Sequence, residues 1–90
     1  MGTTIVKIKI MPQNPETDLE KIKIEAERII SENSREVGKT EEQPIAFGLR
    51  ALILTFQLDE NTELEPIEKK LEEIPEVNSV QVIDMRRALG

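Results

Sequence analysis

The sequence predicts an α+β sandwich in which four antiparallel strands carry two helices on one face. Three observations point there. Three stretches place apolar residues at the two-residue period of a strand, and two others repeat at the period of a helix. A polar stretch between the first helix and the most apolar strand completes the order strand, helix, strand, strand, helix, strand.

Residues 4–11 form the first predicted strand. Val6, Ile8 and Ile10 share one face, while Ile5, Lys7, Lys9 and Met11 share the other. Pro12 and Pro15 end it, since neither can donate to a ladder. Thr17-Asp18-Leu19-Glu20 has the form of a capping box, with Thr17 at the N-cap and Glu20 reaching back. The helix that follows carries Leu19, Ile22, Ala26, Ile29 and Ile30 on one stripe, with Ile24 off it, and residues 31–34 stop it. Residues 35–43 are polar apart from Val37 and include a glycine, which suits an edge strand.

Residues 49–58 give the strongest strand signal. Leu52, Leu54, Phe56 and Leu58 face one way, and Ala51, Ile53, Thr55 and Gln57 the other, so apolar side chains on both faces predict a central position. Residues 59–61 turn the chain. Thr62-Glu63-Leu64-Glu65 repeats the capping-box pattern, and Pro66 sits in the first turn, where its missing N–H costs little. Leu64, Ile67, Leu71 and Ile74 make the stripe of this second helix, and Pro75 terminates it. Residues 77–83 form the last strand, with Val80 and Val82 inward and Gln81 and Ile83 outward. Two right-handed βαβ crossovers joined by a central hairpin define the ferredoxin-like βαββαβ sandwich, with the first and third strands central and one sheet face open.

Ninety residues make one small domain, spanning 1–90, that buries about 60–65% of its unfolded surface. Aromatic residues are 2% of the chain, so the core must be aliphatic. The net charge of -6 disfavours direct contact with a phosphate backbone. Cysteine and histidine are both absent. Disulfides, thiolate or imidazole metal sites, cysteine nucleophiles and histidine acid–base chemistry are therefore excluded, and no cofactor is expected. Residues 1–11 alternate Lys with Ile instead of forming a signal sequence, and no run approaches the ~20 apolar residues of a membrane span. A cytoplasmic domain is expected.

This fold serves many activities, so function has to come from residues. A metallochaperone needs soft ligands. An RNA-recognition sheet stacks bases on aromatics, whereas the outward positions here are Ile5, Lys7, Lys9, Ile53, Thr55 and Gln57. Acylphosphatase chemistry wants a phosphate-cradling loop with an arginine after the first strand, and Met11-Pro12-Gln13-Asn14-Pro15 holds neither arginine nor glycine. No carboxylate pair singles itself out for acid–base work, so the chain is expected not to be an enzyme.

The most informative stretch is Gln43-Pro44-Ile45-Ala46-Phe47-Gly48-Leu49, a turn that presents apolar side chains where polar ones are usual. It places one of the only two aromatic residues, Phe47, on a loop tip. Taken alone, Phe47 folds back over the end of the sandwich and Arg86-Arg87 form a solvated charged end. With the apolar strand behind the loop, Ile8-Lys9-Ile10-Met11-Pro12, Glu16-Thr17-Asp18-Leu19 and the C-terminal Asp84-Met85-Arg86-Arg87, the chain resembles translation elongation factor 1-beta in its archaeal form.

That resemblance implies a guanine-nucleotide exchange factor. Its partner would be the elongation factor 1-alpha GTPase, in GDP-bound and nucleotide-free forms, with no covalent step. It also implies that Arg87 is the basic residue pushed towards the Mg²⁺ and phosphate region, with Arg86 as the alternative. Ala88-Leu89-Gly90 follows Arg87, and eukaryotic members carry Lys at its position. Pro44, Ile45, Ala46, Phe47, Gly48 and Met85 would contact the GTPase. A monomer is expected, with a dimer left open. The competing reading is a ligand-sensing or oligomerisation module using an apolar patch of Ile5, Ile53 and Ile83 on the open sheet face.

Overall fold

A computed structural model describes residues 2–33 and 36–88. Its elements are β1 (Thr3–Pro12), α1 (Leu19–Asn33), β2 (Glu36–Pro44), β3 (Arg50–Asp59), α2 (Glu65–Glu72) and β4 (Val77–Ala88). The strands pair antiparallel in the order β2-β3-β1-β4, so β1 and β3 are central and β2 is an edge, as the sequence predicts. This is the ferredoxin-like βαββαβ arrangement. The predicted helix stop at Ser34 and strand start at Arg35 lie outside the described residues, as do Met1, Leu89 and Gly90.

The core lies between the sheet and the helices. Val6, Ile8 and Ile10 of β1 meet Leu52, Leu54, Phe56 and Leu58 of β3 beneath Ile22, Ala26, Ile29 and Ile30 of α1 and Ile67 and Leu71 of α2. Phe56, the second aromatic, is 1% exposed in the middle of this layer. A buried side chain of this kind contributes about 1.5–3 kcal/mol, and an aliphatic core of this breadth carries the fold.

Both predicted capping boxes are corrected by the structure. In α1 the cap is Asp18, whose Oδ1 accepts the Glu20 N–H at 3.0 Å. Thr17 is buried instead and its hydroxyl donates to Asn14 Oδ1 at 3.3 Å, so it closes the β1–α1 loop. Ser31 lies within the helix, its hydroxyl bonded to the Arg28 carbonyl, and Asn33 Nδ2 satisfies the Ile29 carbonyl near the end. In α2 the cap position is Leu64, already helical and without a side-chain bond. Thr62 lies ahead of the helix start, in a turn that its N–H closes onto the Asp59 carbonyl at 2.8 Å. Pro66 does fall in the first turn. The helix ends at Glu72, so Ile74 packs into the core from the turn that follows.

β4 is longer than predicted. It runs through the Asp84-Met85-Arg86-Arg87 segment, so the expected cationic tail is strand, paired with β1 as Ile5↔Arg86 and Thr4↔Arg87. Two residues are extra, Asn78 near the start of the strand and Ile83 at its centre. Ile8 pairs with Val82 and Lys7 with Asp84, leaving Ile83 in a bulge that resets the alternation of faces. The open face is also less apolar than expected. Ala51 and Ile53 are buried there, while Ile83 remains exposed.

Candidate functional site

The β2–β3 hairpin ends in a tight turn. Leu49 N–H donates to the Ala46 carbonyl at 3.1 Å and Ile45 N–H to the Leu49 carbonyl at 2.8 Å. The two central residues, Phe47 and Gly48, have φ of 59° and 78°. Positive φ at both places is the type I′ pattern, whose twist matches the flanking strands and which ordinarily takes Asn-Gly or Gly-Gly. Gly48 meets the demand freely. Phe47 does not, because a left-handed conformation puts its Cβ against the following carbonyl at a cost of about 1–2 kcal/mol.

Among the described residues no packing compensates for this. The Phe47 ring is 95% exposed, and Ile45 beside it is exposed too. The ring therefore does not fold back over the sandwich. The turn thus holds an aromatic ring in solvent on a left-handed backbone position. Below the tip, a pocket of about 390 Å³ opens between Pro12, Pro15, the start of α1, Gly48 and the Arg50–Glu42 pair.

The arginines occupy the far end of the sheet. Directly opposed residues of an antiparallel pair share a face. Arg86 therefore lies with Ile5 on the open face, where its Nε is 3.1 Å from Asp84 Oδ2. Arg87 lies with Thr4 on the helical side, where its guanidinium is 3.4 Å from Glu60 Oε2. Met85 pairs with Val6 on that same side and is half exposed at the sheet edge. Both ion pairs are well exposed, so each is worth at most about 1 kcal/mol and readily exchanges for a better partner.

The predicted site thus divides in two. Pro44, Ile45, Ala46, Phe47 and Gly48 gather at one end, and Met85, Arg86 and Arg87 at the other. Arg87 stands level with Leu58 of β3 through Thr4, and Arg50 marks the base of the hairpin tip. The eight residue steps from one to the other span roughly 27 Å at strand rise. The molecule measures 42 × 21 × 17 Å, so the two groups mark the poles of its long axis. Sequence reasoning missed Glu60 and Asp84 as the anionic partners of the arginines. Asp84 had a signal, its i+2 spacing along a strand from Arg86, whereas Glu60 arrives from the β3–α2 turn and had none.

Between the poles the open face holds a second ion pair, Lys39 Nζ to Glu41 Oε1 at 2.7 Å. The hydrogen bond and charge of Lys39 hold the Glu41 carboxyl below its ordinary value, with a smaller contribution from Lys7, and Glu41 in turn raises Lys39. Among the described residues no group of three or more Asp and Glu side chains could hold a metal ion, and no helix is long and apolar enough to cross a membrane.

Comparison with known proteins matches residues 5–88 to the EF-1 guanine nucleotide exchange domain. The chain belongs to the elongation factor 1-beta family. It is 41% identical over 88 residues to elongation factor 1-beta of Methanosarcina barkeri, covering 97% of this chain and 99% of that protein. Elongation factor 1-beta of Methanocaldococcus jannaschii is 36% identical over 89 residues, with 98% and 100% covered. The Methanothermobacter thermautotrophicus protein is 39% identical over 90 residues, with 99% and 100% covered. Among solved structures, an uncharacterized protein from Thermotoga maritima aligns with a TM-score of 0.48 and 15% identity, over 91% of this chain and 96% of that one. The family places the chain among the guanine-nucleotide exchange factors of translation elongation, and does not favour the competing reading as a ligand-sensing or oligomerisation module.

Proposed function

We propose that this exchange factor binds the elongation factor 1-alpha GTPase, seating Phe47 in an apolar pocket of that protein and bringing Arg87 towards its Mg²⁺ and phosphate site. The observation that carries the reading is Phe47 itself, an aromatic ring held fully in solvent by a strained turn in a protein of this family. Burial of the ring on docking is worth about 1.5–3 kcal/mol, which offsets the cost of displaying it. Pro44, Ile45, Ala46 and Gly48 shape the tip, and Met85 extends the contact at the opposite pole.

GDP in such a GTPase is held by a phosphate-binding loop and a Mg²⁺ that bridges protein and phosphate oxygens. A guanidinium brought close to this ion repels it, or competes for its carboxylate and phosphate ligands. Arg87, held by an exposed pair with Glu60 at 3.4 Å, is available for this. Arg86 is the alternative, and because the two point to opposite faces, only one can reach a given spot. Release of GDP follows when the factor prefers the emptied GTPase to the GDP-bound one, and nucleotide must then weaken the factor by the same ratio. The factor forms no covalent bond of its own. It acts as one domain over residues 1–90, as a monomer in the cytoplasm and without touching nucleic acid.

Release of a fluorescent GDP analogue from elongation factor 1-alpha, followed by stopped flow, tests this. Phe47→Ala should slow release through weaker binding of the factor, an effect that excess factor restores. Loss of both Arg86 and Arg87 should leave binding largely intact while lowering the saturated rate. Unchanged release by both variants would remove the residue assignments.

A further inference from the structure

We infer that the open face of the sheet is the surface the GTPase covers, and that it joins the hairpin tip to the arginine end of β4 as one continuous contact, with Arg86 inside the contact and Arg87 at its rim on the edge strand. This rests on the proposed reading above, in which one partner engages both poles. That partner must pass over either the open face or the helical layer, and three features of the molecule select the open face.

The first is continuity. Two shallow pockets lie on this face. One, of about 290 Å³, runs from Pro44 at the base of the hairpin tip past Ile53 to Ile83. The other, of about 370 Å³, runs from Thr55 past Ile5 to Asp84 and Arg86. Lys7 and Glu41 line both, so together they form a single groove from one predicted contact to the other.

The second is charge. On this face Lys7, Lys9, Lys39 and Arg86 stand against Glu41 and Asp84, a small excess of positive charge, while Glu42 at the rim is paired with Arg50. Residues 13–33 and 60–76, which build the helical layer and its loops, hold 13 acidic against 5 basic side chains. A GTPase presents phosphates and acidic Mg²⁺ ligands around its nucleotide, so the helical layer would be repelled where the open face is not.

The third is size and anchorage. Four strands of about ten residues give a face of roughly 650 Å² from strand spacing and rise. With the hairpin tip added, this reaches the ~800 Å² per partner of a stable complex. The bulge turns Ile83 outward at the centre of one edge, 43% exposed, as an apolar anchor beside the buried Ile53. The surface that fits here carries mixed charge around an apolar contact for Ile83.

Lysine footprinting tests this with the unaltered protein. Lys7, Lys9 and Lys39 lie on the open face, while Lys21, Lys23, Lys69 and Lys70 belong to the helices. Acetylation rates are measured by mass spectrometry on the free chain and on its complex with nucleotide-free elongation factor 1-alpha. The expected result is at least fivefold protection of Lys7, Lys9 and Lys39, with the helical lysines changed less than twofold. Protection of the helical lysines instead overturns the inference while leaving the proposed function standing. Failure to form any complex on gel filtration overturns both. Protection of the open face in the free chain that grows with its concentration also overturns it, assigning the face to a second copy.

Lys7→Glu and Lys69→Glu change the net charge by the same amount, one on each side of the molecule. The first should weaken the complex at least tenfold and the second less than twofold, with equal losses counting against the inference.

Discussion

Replacing Phe47 with asparagine should stabilise the free protein and impair it as an exchange factor. The change converts Phe47-Gly48 into Asn-Gly, the dipeptide that type I′ hairpin turns favour most. Phe47 sits at φ 59° with its ring 95% exposed, so its removal sacrifices no internal packing. Relief of the left-handed penalty is worth about 1 kcal/mol once the smaller cost for Asn is subtracted. For a domain of this size that raises Tm by about 4–8 °C. In the complex, the lost burial of about 1.5–3 kcal/mol weakens binding of the GTPase by about 10- to 150-fold. Circular dichroism melting gives the first quantity, and titration of the factor in the GDP-release assay gives the second. The reasoning is refuted if Tm falls, or if Tm rises and release at low factor concentration is unchanged.

Other perturbations have equally defined outcomes. Arg87→Ala should lower the saturated release rate by about tenfold or more, corresponding to about 1.4 kcal/mol, and Arg86→Ala should lower it less; single-variant stopped flow separates them because the side chains lie on opposite faces. Phe56→Ala, at 1% exposure in the core, should cost about 3–5 kcal/mol by urea denaturation. Gly38→Ala should destabilise by about 1 kcal/mol, read as a lower Tm, because a Cβ at this bulge would stand 3.1 Å from the Thr55 carbonyl oxygen, a backbone atom with little room to move. Glu41 is depressed in the folded state, so its pairing with Lys39 adds stability above the ordinary carboxylate pKa and loses it as pH falls through the lower folded value. Glu41→Gln should therefore flatten the fall in Tm below about pH 4.5, and identical acid limbs would show that the pair contributes nothing.

The sheet order and both central strands were legible because apolar side chains occupy both faces of β3 and alternate along β1. The helical stripes were legible for the same reason, down to Ile22, Ala26, Ile29 and Ile30. The helix starts were not. Thr17 and Thr62 have the right residue types and spacing for caps, but each is committed to a loop or turn, which periodicity does not register. The faces taken by the two arginines were not legible, for a register reason. Continuing the alternation of Val80 and Val82 would send Arg86 towards the helices, yet the unpaired Ile83 shifts the phase and sends Arg87 there. A bulge in the middle of an edge strand leaves no compositional trace here, since Ile83 suits a strand as well as its neighbours do. At the near pole, the Phe-Gly dipeptide revealed the turn and its apolar tip. The strain in Phe47 depends on backbone angles that only the structure supplies.

The central claim is a difference in affinity, and it is measured directly by titrating the protein into elongation factor 1-alpha with and without bound GDP. The account predicts much tighter binding to the nucleotide-free form, with the ratio of the two dissociation constants equal to the ratio by which the factor weakens GDP. Equal affinity for the two forms would contradict it, because a factor that does not distinguish them cannot drive nucleotide out.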